Sequence, residues 1–236
     1  NVTARLNHPY VKVFDEEREM TVMLLIDVSG SHNFGTASHL KKEMITEIAG
    51  VLAFSAIQNN DKVGVIFFSD RIEKFIPPQK GTQHILRIIR ELIQFTPEHT
   101  GTDLTQALRY MRNIIKKRSV AFLLSDFYDR NFSDALSIVS RKHDLVCLRI
   151  YDQRERMIPD MGLIKVRDAE SGQVSWMDSS DRRLMQYLQQ WNMEHDKYIR
   201  EAFARASVDS VEIPTHGDYV PPLMQLFRQR TRQRIR

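Results

Sequence analysis

Asp27, Ser29 and Ser31 place a carboxylate and two hydroxyls at alternate positions, directly after the uninterrupted apolar run Val22–Ile26. One tight turn can point all three oxygens inward. Two further oxygen donors sit in similar settings. Thr102 follows Gly101 at the start of a helical pattern, and Asp126 follows Ser125 at the end of a second apolar run, Val120–Leu124. Together they offer two carboxylates and three hydroxyls, all hard donors. Magnesium asks for six oxygens in near-octahedral geometry, keeps some of its waters and is usually held by only one or two carboxylates. A divalent ion facing two carboxylates is not over-neutralised and can accept one more anionic oxygen. If an Asp or Glu of another protein fills that position, the ion becomes a bridge and the desolvated carboxylate the centre of the interface.

Blander readings stand beside this one. Thr102 is also a good helix N-cap. Asp70 lies in Ser69-Asp70-Arg71, ordinary turn chemistry, and Asp152 opens a charged stretch where solvation is expected. The eight histidines are scattered, with no His-Glu-x-x-His helix and no Gly-x-Ser-x-Gly elbow. Neither Gly-x-Gly-x-x-Gly nor a Walker Gly-Lys-Ser/Thr occurs, which argues against a nucleotide site. With no convincing base or nucleophile, a non-enzymatic binding module is the expectation. A magnesium-dependent phosphoester hydrolase is the alternative, since a strand-terminal Asp and a metal can serve phosphoryl transfer. Against it, no second acid follows Asp27 two residues on, and no lysine is evidently placed to meet a phosphate.

The elements that must carry these residues follow from periodicity. Val22–Ile26 and Val120–Leu124 have no polar face, as expected of strands buried on both sides of a parallel sheet. A polar loop over residues 31–38 precedes a helix with Leu40, Met44, Ile45, Ile48 and Leu52 at helical spacing, closed by Asn59-Asn60. Lys62–Phe68 turns at once into Ile72–Ile76, an antiparallel hairpin at a sheet edge ended by Pro77-Pro78. Helices over about 82–94, 103–117 and 132–142 alternate with strands at Val120–Leu124 and Leu145–Ile150. Such alternation predicts an α/β fold, a doubly wound, Rossmann-like, mostly parallel sheet with one antiparallel edge strand. In it the Asp27 and Asp126 strands are neighbours across the reversal of strand order, where ligands bind. An edge strand is expected near Tyr10–Phe14. Later come a charged loop at 153–156, short strands near 163–166 and 173–176, a long helix over about 181–206, a strand near 208–213 and a final helix from about Pro222.

The composition, 42% hydrophobic and 27% charged over 236 residues, is ordinary for a globular domain. The single cysteine, Cys147, lies in an apolar strand, so no internal disulfide can form and a buried inert thiol in a reducing compartment is expected. The formal charge of +4 is local: five arginines lie in residues 228–236, and without them 29 basic residues face 30 acidic ones. No stacking aromatics alternate with these arginines, so a solvated helix end is expected rather than a nucleic-acid site. No apolar run approaches the ~20 residues that span a bilayer, and no secretory leader is apparent. The chain opens on Asn1 without an initiator methionine. It is expected to be an excised piece, cytoplasmic, with membrane association possible only through an upstream part.

Asp27-Val-Ser29-Gly-Ser31, Thr102 in Gly-Thr-Asp-Leu and Asp126 in Leu-Ser-Asp-Phe resemble the metal-ion-dependent adhesion site of von Willebrand factor A domains. More narrowly, Lys12-Val-Phe, Glu17-Arg18-Glu19, Phe34-Gly35-Thr36, Asn59-Asn60-Asp61-Lys62-Val63-Gly64 and Ser125-Asp126-Phe127 resemble a bacterial family catalogued as domain of unknown function 58. That resemblance covers about residues 10–180 and implies a von Willebrand factor A fold. It also implies that Asp27, Ser29, Ser31, Thr102 and Asp126 hold Mg²⁺ or Mn²⁺, and that the protein is partner or adaptor of a MoxR-type AAA+ ATPase or its client. The implied layout is an approach segment over 1–20, the von Willebrand factor A-like domain over 21–180 and a C-terminal helical extension over 181–236, packed on the same domain. Two positions depart from the family pattern: His32 stands where methionine is common, and Gln153 stands where proline is expected.

Overall fold

The computed structural model describes residues 19–30, 35–36, 39–156, 158–168 and 172–234. The expected strand at Tyr10–Phe14, and Ser31 and His32, lie outside these. In chain order the elements are β1 (Thr21–Asp27), β2 (Gly35–Thr36), β3 (His39–Leu40), α1 (Lys41–Gln58), β4 (Lys62–Phe68), β5 (Ile72–Gln79), α2 (Thr82–Gln94) and α3 (Leu104–Ile114). They continue as β6 (Val120–Ser125), α4 (Ser133–Ser140), β7 (Asp144–Tyr151), α5 (Gln153–Arg156), β8 (Leu163–Arg167), β9 (Val174–Asp178), α6 (Arg182–Ala206), β10 (Asp209–Pro214) and α7 (Val220–Arg234).

Six strands form one sheet in the order β10-β7-β6-β1-β4-β5. All neighbours are parallel except β4 and β5. This is the doubly wound sheet with one antiparallel edge strand that the alternation predicts. The chain steps outward from β1 to β4 and β5, then returns to place β6 on the other side of β1, so the carboxyl ends of β1 and β6 flank the switch point. Because side chains alternate across a strand, β1 feeds two cores. Val22, Leu24 and Ile26 pack among residues of α1, α2 and α7. Met23 and Leu25 pack among residues of α3, α4 and α6. A strand enclosed this way cannot shift register without driving Asp27 into one of those cores.

Several local features differ from expectation. Pro77 and Pro78 do not end β5; the strand runs to Gln79, with its register to β4 shifted between Val63 and Val65. Proline is tolerated there because an edge strand has an unpaired side. Gly64 lies beneath the irregularity, where a Cβ would come within 2.8 Å of Met23 Sδ and 3.0 Å of Ile76 O. Residues 35–36 and 39–40 pair as a small antiparallel ribbon rather than a plain loop. Residues 153–156 form the short helix α5 instead of a charged loop. Asp152 is buried, not solvated, and accepts a hydrogen bond from Thr215 Oγ1 at 2.7 Å. In the arginine-rich end, Arg230 forms ion pairs with Asp144 and Asp209, which pins α7 to the sheet edge. Cys147 is buried and its thiol pKa is raised by burial, as an inert thiol requires. The hairpin β8–β9 leaves Trp176 66% exposed, with Leu163 beside it on the open face.

His143, buried behind α4, shares a 2.9 Å hydrogen bond between Nδ1 and Ser119 Oγ. Burial, with Lys142 and Arg118 nearby, pushes its pKa down to about 4. Between the ordinary value near 6.5 and that value the unfolded chain binds the extra proton, so folding stability is complete above this window and is lost as pH falls through it. The loss should approach about 3 kcal/mol. Denaturant titrations at pH 7 and pH 4.5 should show a smaller difference in His143→Gln than in the wild type.

Candidate metal centre

Asp27 ends β1 with only 1% of its surface exposed. Burying a carboxylate is costly unless its oxygens are matched, and here both are. Ser29 N donates to Oδ1 at 3.0 Å, and Ser125 Oγ, from the end of β6, donates to Oδ2 at 2.5 Å. The surrounding turns are laced by main-chain bonds: Val28 N to Phe68 O, Gly30 N to Thr100 O and Asp103 N to Ser69 O, at 2.8–2.9 Å. The turn after β1, the turn after β4 and the loop before α3 are thereby tied together at the carboxyl edge of the sheet.

Thr102 lies in that loop, and its N-cap alternative is overturned. Asp103 caps α3, its Oδ1 accepting from Gln106 N at 2.8 Å, while Asp129 Oδ2 accepts from Leu104 N at 2.9 Å. The Thr102 hydroxyl is consequently buried with no hydrogen-bond partner among the described residues. A buried polar atom left unmatched costs about 1–3 kcal/mol, a cost that an oxygen-seeking cation would relieve. Ser29 is buried beside Asp27. By type the donors that can be placed suit a magnesium-type ion: hard oxygens, two of them carboxylates, and one hydroxyl with no hydrogen-bond partner among the described residues.

Asp126 has no exposed surface. Its Oδ1 accepts from Tyr128 N at 3.2 Å, and its Oδ2 accepts from Lys41 Nζ at 3.0 Å. Lys41, the first residue of α1, is itself fully buried and makes a second ion pair with Glu155 Oε2 of α5 at 2.7 Å. Burial opposes the ammonium charge, but the two carboxylates outweigh it and hold the Lys41 pKa above its usual value. Burial raises the Glu155 pKa against the pull of Lys41. The Tyr128 ring, 5.8 Å from the ammonium, has its phenol pushed up to about 12 by burial and by Glu155 and Asp126.

The turn after Asp126 is strained. Phe127 is buried at φ 63°, the left-handed region that costs a residue with a Cβ roughly 1–2 kcal/mol. Three contacts hold it there. Phe127 N donates to Ser125 Oγ at 2.9 Å, His195 Nε2 donates to Phe127 O at 3.0 Å, and the ring packs on Phe132 and Phe203. Tyr128 then stacks on Trp191 and His195, with the Arg130 guanidinium 5.2 Å over the Trp191 ring. Tyr128, Glu155, Ile158, Met185, Leu188 and Trp191 line a groove beside the centre.

The expected site residues thus stand as follows. Asp27 and Ser29 are in direct contact, Asp27 and the Asp126 turn are linked through Ser125, and Thr102 sits in the loop bonded to the β1 turn. Ser31 lies outside the described residues. Sequence reasoning missed Ser125, Lys41 and Glu155. Ser125 adjoins Asp126 and carries a hydroxyl, a signal that was present. A lysine opening a helix looks like any surface lysine, so Lys41 had none, although it lies against Asp126.

Comparison with known proteins agrees with this architecture. The family model described as "Protein of unknown function DUF58" matches residues 1–198. An uncharacterised protein of Mycobacterium tuberculosis is 30% identical over 177 residues, which are 73% of this chain and 56% of that protein. The chain therefore spans little more than half the length of the curated relatives it matches. Among solved structures, the conserved hypothetical protein BatB from Bacteroides thetaiotaomicron aligns with TM-score 0.63 and 15% identity, over 90% of this chain and 99% of that one. An aerotolerance-related membrane protein from Bacteroides fragilis aligns with TM-score 0.56 and 16% identity, over 82% and 91%. The structural likenesses speak for the fold, and the match over residues 1–198 for the lineage: this chain belongs to the DUF58 family.

Proposed function

We propose that the protein is a non-catalytic, metal-dependent protein-binding module. In this reading Asp27, Ser29, Ser31, Thr102 and Asp126 hold Mg²⁺, or Mn²⁺, directly or through water. The observation that carries it is the buried Thr102 hydroxyl, unmatched among the described residues, in a loop bonded to the turn of a buried Asp27. The ion supplies a positive charge with room for one foreign carboxylate. The chain's own part is positional: Ser125 and Ser29 orient Asp27, and Lys41 and Tyr128 N orient Asp126. The partner is proposed to present an Asp or Glu and to be a MoxR-type AAA+ ATPase or its client, with the module acting as adaptor.

Three groups of the kind that serve chemistry have other partners. Nε2 of His84 and of His195 each donate to a main-chain carbonyl, and Ser125 Oγ is spent on Asp27. Lys41 beside Asp126 is the observation that favours a phosphoester hydrolase, since that chemistry uses a cation near the phosphate. Its full burial and its two carboxylate partners favour a structural role instead. No helix among the described residues is long and apolar enough to cross a membrane. A cytoplasmic location is part of this proposal.

A ligand that binds only the folded state at a hundred times its Kd stabilises by about 2.7 kcal/mol. Saturating MgCl₂ should accordingly raise the melting temperature by on the order of 5 °C. The shift should vanish with EDTA and in Asp27→Ala; an equal shift in that variant would place the ion elsewhere. Immobilised protein should retain an AAA+ ATPase from a bacterial lysate with Mg²⁺, and lose it with EDTA or Asp27→Ala. Retention unchanged under both refutes the binding reading, and Mg²⁺-dependent turnover of an aryl phosphate, abolished by Asp27→Asn, would replace it with the hydrolase.

A further inference from the structure

The charges around the centre form two sets. Asp27 and Asp126, when ionised, together balance one divalent cation. Behind Asp126 stands Lys41, whose fully buried ammonium would repel a second cation in so dry a setting. Glu155 meets that ammonium at 2.7 Å and cancels it. Of the two partners only Glu155 reaches solvent, with 17% of its side chain exposed on the wall of the groove beside Tyr128 and Trp191.

We propose that the Lys41–Glu155 pair sets how tightly the centre holds its cation, Lys41 acting as a tethered positive charge on Asp126 and Glu155 as the counter-charge that screens it. This rests on the metal reading above and adds to it a regulator that coordinates nothing. Lys41 and Glu155 are positioning and tuning residues, not ligands. The arrangement has a signature that a purely structural role lacks. Removing the negative member leaves Lys41 paired with Asp126 alone and weakens the cation; removing the positive member takes away the charge that opposes the cation and strengthens it. Loss of packing alone would weaken it in both cases.

The test is an Mn²⁺ titration of the full chain, followed by the fall in free-ion paramagnetic resonance and repeated with Mg²⁺ by calorimetry. Glu155→Gln should weaken Mn²⁺ by about tenfold and Glu155→Lys by more, while Lys41→Met should tighten it several-fold. Circular dichroism of each variant checks folding. If Lys41→Met does not fold, the graded series of Glu155, Gln and Lys decides alone. Equal affinities along that series, or Lys41→Met weakening binding as Glu155→Gln does, would overturn the proposal. In either case a wild type that binds Mn²⁺ and an Asp27→Ala that does not would leave the metal reading standing. A wild type that binds no better than Asp27→Ala removes both.

Discussion

Two carboxylates, Asp27 and Asp126, are sealed at the ends of adjacent strands, and the rest of the centre is arranged around the cost of keeping them there. An ionised carboxylate taken out of water must find hydrogen bonds or charge within the protein. Asp27 accepts from two neutral donors, an amide and a hydroxyl. Asp126 is matched by an amide and a full positive charge. Asp126 is thereby a carboxylate whose charge is shared with a buried lysine. The pairing of β1 with β6 enforces their proximity, since both strands are packed on both faces and neither can slide.

Strain is concentrated where this arrangement is made. The left-handed Phe127 turns the chain sharply enough for Ser125 Oγ to serve two masters, donating to Asp27 and accepting from Phe127 N. An aromatic cluster and the His195 bond to the Phe127 carbonyl over-determine that turn. Left-handed residues held in place by packing of this sort gather at functional sites. Because His195 belongs to α6, the long C-terminal helix contributes to the shape of the centre although none of its residues is a candidate ligand.

Much of this was legible in the sequence, for identifiable reasons. The apolar runs at 22–26 and 120–124 have no second interpretation in a chain that alternates strand and helix, so the sheet and its switch point could be read directly. Asp27 and Asp126 could be read because a carboxylate terminating such a run is placed by the run itself. What escaped was long-range. That Asp103 rather than Thr102 caps α3 depends on which of two adjacent side chains faces the helix, and that decides whether Thr102 is available at all. Lys41 and Glu155 are 114 positions apart by number and meet only because α1 and α5 converge on the Asp126 turn. Asp152 reads as solvated because Thr215, which bonds it, lies on a distant segment. The prolines of β5 read as a stop because a one-dimensional pattern does not reveal that the strand is on an edge.

The aromatic stack above Asp126 has an optical consequence. The chain holds two tryptophans. Trp176 stands on the exposed hairpin, whereas Trp191 stacks against both Tyr128 and His195 under the Arg130 guanidinium. Silencing Trp176 with phenylalanine leaves one tryptophan, separated from the ammonium that grips Asp126 by the Tyr128 ring. Events at the centre then become readable as colour and brightness, with no label attached.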